Sequence, residues 1–144
     1  MQVIYYKIFP ELNLIALRLA GDCYFSALMA CIRAYMQDPA YQPTLNGVLD
    51  MRDGRLVLTP EEILQISSFV HQQKFAKGRW CHLVEHPRST ALGTLYQNLI
   101  QDEHPLKVFS TLEAASSFLL TDLGQVLPQR PGTGEPWATP KKSL

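Results

Sequence analysis

Between Asn46 and Glu62 a short apolar run, a polar turn and a helix start follow one another, and that order leaves few folds open. Val48-Leu49-Asp50-Met51 is bounded by Asn46-Gly47 on one side and Asp53-Gly54 on the other, and both dipeptides are turn signals. Thr59-Pro60-Glu61-Glu62 then opens a helix. The Thr59 hydroxyl can accept a backbone N–H of the first turn, Pro60 has no N–H to leave unsatisfied there, and Glu62 can reach back to the cap. Strand, loop and helix in this order are half of a βαβ unit, which demands a parallel neighbouring strand.

The flanking sequence repeats the step. Gln2 to Phe9 and Leu12 to Ala20 are two runs rich in strand-forming residues, and Pro10-Glu11 between them predicts a hairpin. Gly21-Asp22 is expected to end the second strand and cap a helix, with Phe25, Leu28, Met29, Ile32 and Met36 at helical spacing. Asp38-Pro39 stops that helix. Trp80 to Glu85 reads as a strand ended by His86-Pro87, followed by a helix from Ser89 with Leu92, Leu95, Tyr96 and Leu99 on one face. Leu106 to Phe109 is the last strand, and Ser110-Thr111-Leu112-Glu113 has the form of a second capping box, with Ala115, Phe118 and Leu119 inward.

The order is ββαβαβαβα. Each crossover is right-handed by rule, so the expected fold is α/β: a mixed five-stranded sheet with strands 2–5 parallel and strand 1 antiparallel at an edge. Alternation predicts one apolar face from Ile15, Leu17, Leu19, Leu49, Met51, Cys81 and Leu83. A mixed face would carry Ala16, Arg18, Val48, Asp50, Trp80, His82, Val84, Lys107 and Phe109. Helices packed mainly on the apolar face account for that contrast, because a sheet buried equally on both sides reads as continuous apolar runs.

Size and charge exclude several classes. At 144 residues, with 47% hydrophobic and 18% charged side chains, the chain can bury a core without disulfides. Thirteen basic and thirteen acidic residues cancel, and no basic cluster gives the electrostatic footprint of a nucleic-acid binder. Lys7 and Glu11 interrupt the N-terminal apolar run, and no stretch reaches membrane-spanning length. Three cysteines, Cys23, Cys31 and Cys81, have no metal-ligand spacing and suit reduced thiols in a cytoplasm. Four of the ten prolines and three of the eight glycines lie in 124–144, so the expected organisation is a domain at 1–123 and an extended tail at 124–144.

With the element order in hand, Gly21 closing the second strand, Asp38-Pro39-Ala40-Tyr41 after the first helix, the central strand Val48-Leu49-Asp50-Met51-Arg52 and the closing Val108-Phe109-Ser110-Thr111-Leu112-Glu113-Ala114-Ala115 resemble SpoIIAA-like (STAS-type) proteins, over about residues 2–121. The resemblance implies that fold and, for the better-known members, antagonism of anti-sigma factors switched by phosphorylation of a Ser in an Asp-Ser-Ser-Gly motif. Here that place reads Leu58-Thr59-Pro60-Glu61, so only the Thr59 hydroxyl survives, and a phosphate there would meet Glu61 and Glu62. Other members resemble the CRAL-TRIO lipid-transfer fold, which implies apolar-ligand binding. The kinship therefore points to an uncharacterised bacterial branch of the family.

In an open parallel sheet, ligands bind at the carboxyl edge of the strands. That rim collects Asp50, Arg52, Asp53, Thr59, His86, Arg88, Ser89, Thr90 and Ser110. Arg88, Ser89 and Thr90 stand at a helix start, where free N–H groups favour an anion, although a simple cap explains them equally. Asp50, Asp53 and His86 have the residue types of an acid–base set but no fixed spacing, and strand-end carboxylates more often cap or pair with an arginine such as Arg52. His82 and His86 are four residues apart in an extended chain, roughly 13 Å, too far for one metal ion. His82 reads as a hydrogen-bonded residue of the mixed face. No phosphate loop, nucleophile elbow or dinucleotide fingerprint is present, so no catalytic residue, metal or cofactor is assigned.

The first helix carries Tyr24, Ala27, Cys31, Ala34 and Tyr35 beyond its core stripe, with Arg33 nearly its only charge. A helix apolar most of the way round is buried on more than one side. A dimer surface, an apolar-ligand cleft, or cover by Val126, Leu127 and Trp137 of the tail each satisfies this. The expected function is a non-enzymatic cytoplasmic regulatory module that binds a partner protein, as a homodimer. The alternative is a carrier or sensor of a small apolar or acyl ligand, which an enclosed cavity on the order of a few hundred Å³ would favour. An enzyme working at the strand-end rim ranks last.

Overall fold

The computed structural model describes residues 2–74, 76–85, 94–99, 105–129 and 137–138. In chain order these form β1 (Ile4–Phe9), a 3-10 turn (Pro10–Leu12), β2 (Leu14–Leu19), β3 (Gly21–Tyr24), α1 (Phe25–Met36), β4 (Asn46–Asp50), β5 (Gly54–Val57) and α2 (Pro60–Gln73). After them come β6 (Trp80–Leu83), α3 (94–99), β7 (Leu106–Phe109), α4 (Leu112–Leu119) and a last 3-10 turn, Leu123–Gln125. The expected helix start at Ser89 lies outside the described residues.

The main sheet runs β1-β2-β4-β6-β7, with β1 antiparallel to β2 and every other pairing parallel. This is the arrangement expected from the sequence. The reciprocal cap at α2 is also present: Glu62 N donates to Thr59 Oγ1 at 3.2 Å and Thr59 N donates to Glu62 Oε1 at 2.9 Å. Such a cap contributes about 1 kcal/mol. At α4 the cap is Thr111 alone, accepting from Ala114 N at 3.1 Å, so Ser110 stands outside and no second box forms.

Two expectations are corrected by the strand pairings. Gly21-Asp22 does not cap α1. The chain stays extended as β3, which pairs in parallel with β5 in a separate two-stranded ribbon. β2 and β4 already run side by side, so their continuations reach the same neighbour in the same direction. Gly21 turns the chain with φ +97, and a Cβ on Gly54 would strike the Gly21 carbonyl oxygen. Asp22 and Arg55 face water and pair at 2.8 Å, while Cys23 is buried.

The second correction concerns β6. Register places Leu17 beside Leu49, Leu49 beside His82 and His82 beside Val108, so Trp80, His82 and Val84 belong to the first, apolar face. Cys81 and Leu83 sit with Ala16 and Val48 on the second. Strand parity is set within a strand, but its phase between strands is set by pairing.

Both faces are covered. Ile15, Leu17, Leu19, Leu49 and Met51 on the first pack with Leu28, Met29, Ile32 and Tyr35 of α1, Ile66 and Val70 of α2, and Tyr96 and Leu99 of α3. The second face holds Leu14, Ala16, Val48, Cys81 and Leu83 beneath Leu112, Ala115 and Leu119 of α4. Leu123, Val126, Leu127 and Trp137 join that second cluster. The C-terminal segment therefore lies on the mixed face, opposite α1, which removes the tail from the three covers weighed for that helix. Ala138 N donates to Val126 O at 2.9 Å, and Trp137 packs edge-on to Phe9 at 6.1 Å.

Candidate functional site

The polar rim resolves into a buried ion cluster. Asp50 ends β4 with no exposure at all and accepts from Arg18 Nε at 2.8 Å. It also accepts three bonds from Arg52: the backbone N at 3.0 Å, Nε at 3.0 Å and Nη2 at 2.9 Å. Arg18 Nη2 turns to Asp53 Oδ2 at 2.8 Å. Arg52 additionally donates to the carbonyls of Pro128 at 2.8 Å and Gln129 at 3.3 Å, tying the C-terminal segment to the end of β4.

Of the rim residues named from sequence, the fold thus joins Asp50, Arg52 and Asp53. Thr59 is occupied by its cap, and Ser110 is exposed beside the cap of α4. His86, Arg88, Ser89 and Thr90 lie outside the described residues. Arg18 was placed by sequence only on a mixed face. Its signal was a single charge in the otherwise apolar run of Leu14–Leu19, a buried cation that needs a buried partner. Both Asp50 oxygens accept from arginine, so that carboxylate is taken up within the cluster.

The other candidate lies on the first sheet face. An apolar cavity of about 90 Å³ opens between the sheet and the helices. Its floor is Leu17, Leu49, Met51, Trp80, His82 and Leu106; α1 supplies Leu28, Ile32 and Tyr35, α2 supplies Ile63, Ile66 and Val70, and α3 supplies Tyr96. Leu56 and Leu58, between β4 and α2, are half-buried and complete the wall with Ala76. Among the described residues, no Asp, Glu, Lys or Arg lines it.

The groups able to hydrogen-bond gather on one side. His82 stacks on Tyr96 with ring centroids 6.1 Å apart and planes 10° from parallel. Trp80 is two residues before His82 on the same face of β6, and Tyr35 is near enough to Tyr96 to feel it electrostatically. Burial holds the Tyr35 phenol well above its ordinary pKa, with Tyr41, Tyr96 and Cys31 adding to the effect. Burial raises Tyr96 likewise, so both stay protonated donors. His82, expected on the mixed face, is instead part of the cavity floor.

Of the residues proposed for an apolar interface or cleft on α1, Tyr35 lines this cavity and Cys31 is buried beside it in the core. Ala27 is half-buried and Tyr24 is 57% exposed. Burial pushes the Cys23 thiol up to about 11, and those of Cys31 and Cys81 up to about 12. They are packing residues with no nucleophilic character near neutral pH.

No family model and no curated protein matches the sequence. Among solved structures, an uncharacterized protein of the DUF3478 family from Shewanella loihica PV-4, described as having a SpoIIAA-like fold, is similar with a TM-score of 0.57. The similarity spans 83% of this chain and 95% of that one at 10% identity. The fold is SpoIIAA-like. At that identity the likeness speaks for architecture alone, and function has to come from this chain's own side chains. Within the SpoIIAA-like fold, the position after the central strand is held here by the Thr59–Glu62 cap. Among the described residues, no helix is long and apolar enough to cross a membrane.

Proposed function

We propose that this SpoIIAA-like protein is a non-enzymatic binding protein that takes a small apolar ligand, or the apolar end of a larger one, into the cavity between the sheet and α1–α3. The observation that carries the reading is the unfilled volume itself. Protein cores are packed to crystal density with few voids, and a retained cavity lined by aliphatic side chains forfeits contacts unless something occupies it. At about 90 Å³ it is smaller than the cavity on the order of a few hundred Å³ expected of a carrier site, which narrows the ligand. A 150 Å³ apolar cavity is known to hold benzene, so 90 Å³ accommodates about three or four non-hydrogen atoms. A long acyl chain does not fit without displacing α2 or α3.

Xenon tests this, read on the methyl resonances of Met51 and Ile66 and on those of the Ala76→Leu variant. The three carbons added there occupy most of the cavity. Pressurised xenon should shift the methyls in the native protein and leave the variant unmoved. No shift in the native protein, or equal shifts in both, refutes a bindable cavity.

A second reading, a regulatory module that docks a partner protein or a second copy, is favoured by a separate observation. α2 and α3 meet where His71 Nε2 lies 3.0 Å from the Leu99 carbonyl. One to two turns earlier on the same helices stand Leu64 and Leu95, 53% and 41% exposed. Native mass measurement of the freshly purified protein addresses both readings, giving bound ligand and oligomeric state together.

A further inference from the structure

We infer that the outer edge of β1 is a self-pairing surface, on which a second copy of this chain lays its own β1 antiparallel and joins the two sheets into one. The inference is independent of the cavity and uses a different surface from Leu64 and Leu95. The phase of β1 follows from one bond. β1 pairs with β2 so that Ile4 faces Leu19 and Tyr5 faces Arg18, and one step earlier Ala20 N donates to Val3 O at 2.9 Å. Bonded and non-bonded pairs alternate in an antiparallel ladder. Tyr5, Lys7 and Phe9 therefore turn their N–H and C=O to β2, while those of Ile4, Tyr6 and Ile8 point out of the sheet. The Ile4 carbonyl agrees with this, since it accepts from the exposed Gln2 side chain at 2.9 Å. Among the described residues no strand pairs with this edge, and six residues rich in isoleucine and aromatics without a proline are a template for one.

The sequence of β1 is complementary to itself in one register. Bonded pairs across the new edge must join outward-facing residues, so Tyr6 sits on the two-fold axis and Ile4 lies opposite the second copy's Ile8. Ile4, Tyr6 and Ile8 are the apolar, first-face side of the strand. On the other side Tyr5 then lies opposite the second copy's Lys7, an ammonium beside a ring. Lys7 already leans over the Phe9 ring at 5.3 Å, away from the axis, so the two ammoniums stay apart. The neighbouring register, which sets Lys7 against Lys7, is opposed by like charge. A formal net charge of zero adds no long-range repulsion between copies.

The two-fold also brings α1 and its copy side by side on the first face. Tyr35 packs edge-on to Tyr6 at 5.9 Å, and Cys31 is near enough to Tyr6 to act on it electrostatically. The flank of α1 that carries Ala27, Cys31 and Ala34 at helical spacing is therefore the one above β1. Ala27 is half-buried and Ala34 exposed, and such small side chains let two helices approach closely. The helices add area to a strand contact that alone would fall below a standard interface. They also give a use to the apolar outer side of α1, which the C-terminal segment leaves uncovered.

Sedimentation velocity of the native full-length protein over a concentration series should show a monomer–dimer equilibrium, with a dissociation constant on the order of micromolar. Amide exchange at Ile4, Tyr6 and Ile8 should slow about tenfold at ten times that constant, while Tyr5, Lys7 and Phe9, held by β2, stay unchanged. Tyr5→Lys sets like charges opposite each other twice and should weaken the dimer about tenfold. Adding Lys7→Glu to Tyr5→Lys makes those pairs opposite in sign and should restore it. A monomer throughout the series refutes the inference. So does a dimer in which exchange at Ile4, Tyr6 and Ile8 ignores concentration, or a double variant as weak as Tyr5→Lys. If Leu64→Glu dissolves the dimer and Tyr5→Lys does not, the α2–α3 patch holds it, and the inference falls while the second reading of function stands.

Discussion

Asp50→Ala probes the ion knot that joins the sheet to the C-terminal segment. Asp50 accepts four hydrogen bonds from two arginines and is wholly buried. Hydrogen bonds to a charged group contribute about 1.5–3 kcal/mol each, which would sum to about 6–12 kcal/mol if independent. They are not independent, since they share one carboxylate. Arg18 also keeps Asp53, and Arg52 keeps the Pro128 and Gln129 carbonyls. The cost is therefore set by leaving buried cations short of one anion, about 3–5 kcal/mol.

A chain of 144 residues has about 7–22 kcal/mol of stability in total, so the variant still folds but is visibly weakened. In urea, with a slope of about 2 kcal/mol/M, the midpoint should fall by about 2 M at unchanged slope. The triple replacement Arg18→Met, Asp50→Leu, Arg52→Met removes the charges together and should recover most of the loss, because buried ion pairs exchange for apolar packing at little cost. An Asp50→Ala protein within about 1 kcal/mol of the native one, the value of an exposed pair, would refute the account.

Two further outcomes follow from burial. Cys23, Cys31 and Cys81 should resist a thiol reagent at pH 8 in the native state and react fully in denaturant; rapid native labelling would show the packing to be open. Because their folded pKa values lie above the unfolded value near 9, the stability they contribute is complete below pH 9 and is lost as pH rises toward 11 and 12. Urea midpoints across pH 8–11 should fall accordingly, and a flat profile contradicts it. Leu127→Ala, on the second face and fully buried, should cost about 2–5 kcal/mol, whereas a dispensable tail would lose nothing measurable in the same denaturation.

Much of the architecture was legible along the chain because its signals are local. The Thr59 cap, the alternation of β2 and β4, and the Pro and Gly punctuation act within a few residues, and together they give the order and direction of the five main-sheet strands, while the short β3 and β5, which pair only with each other, left no such local signal. The site was legible only in part. Asp50, Arg52 and Asp53 could be named as rim residues, but that they close on Arg18 depends on β2 and β4 lying side by side in one register.

The sequence by itself determined the strands and helices of the main sheet, their order and their direction, since each follows from periodicity and caps, but not the β3–β5 ribbon. Only the tertiary structure decided which face β6 shows, so His82 moved to the cavity floor and Cys81 to the opposite core. It also decided between the two faces open to the C-terminal segment, whose Val126, Leu127 and Trp137 pack on the second, and left a void under α1–α3. The physical reason is one of range: hydrogen-bond register and packing volume are relations between segments distant in sequence, and no local spacing encodes them.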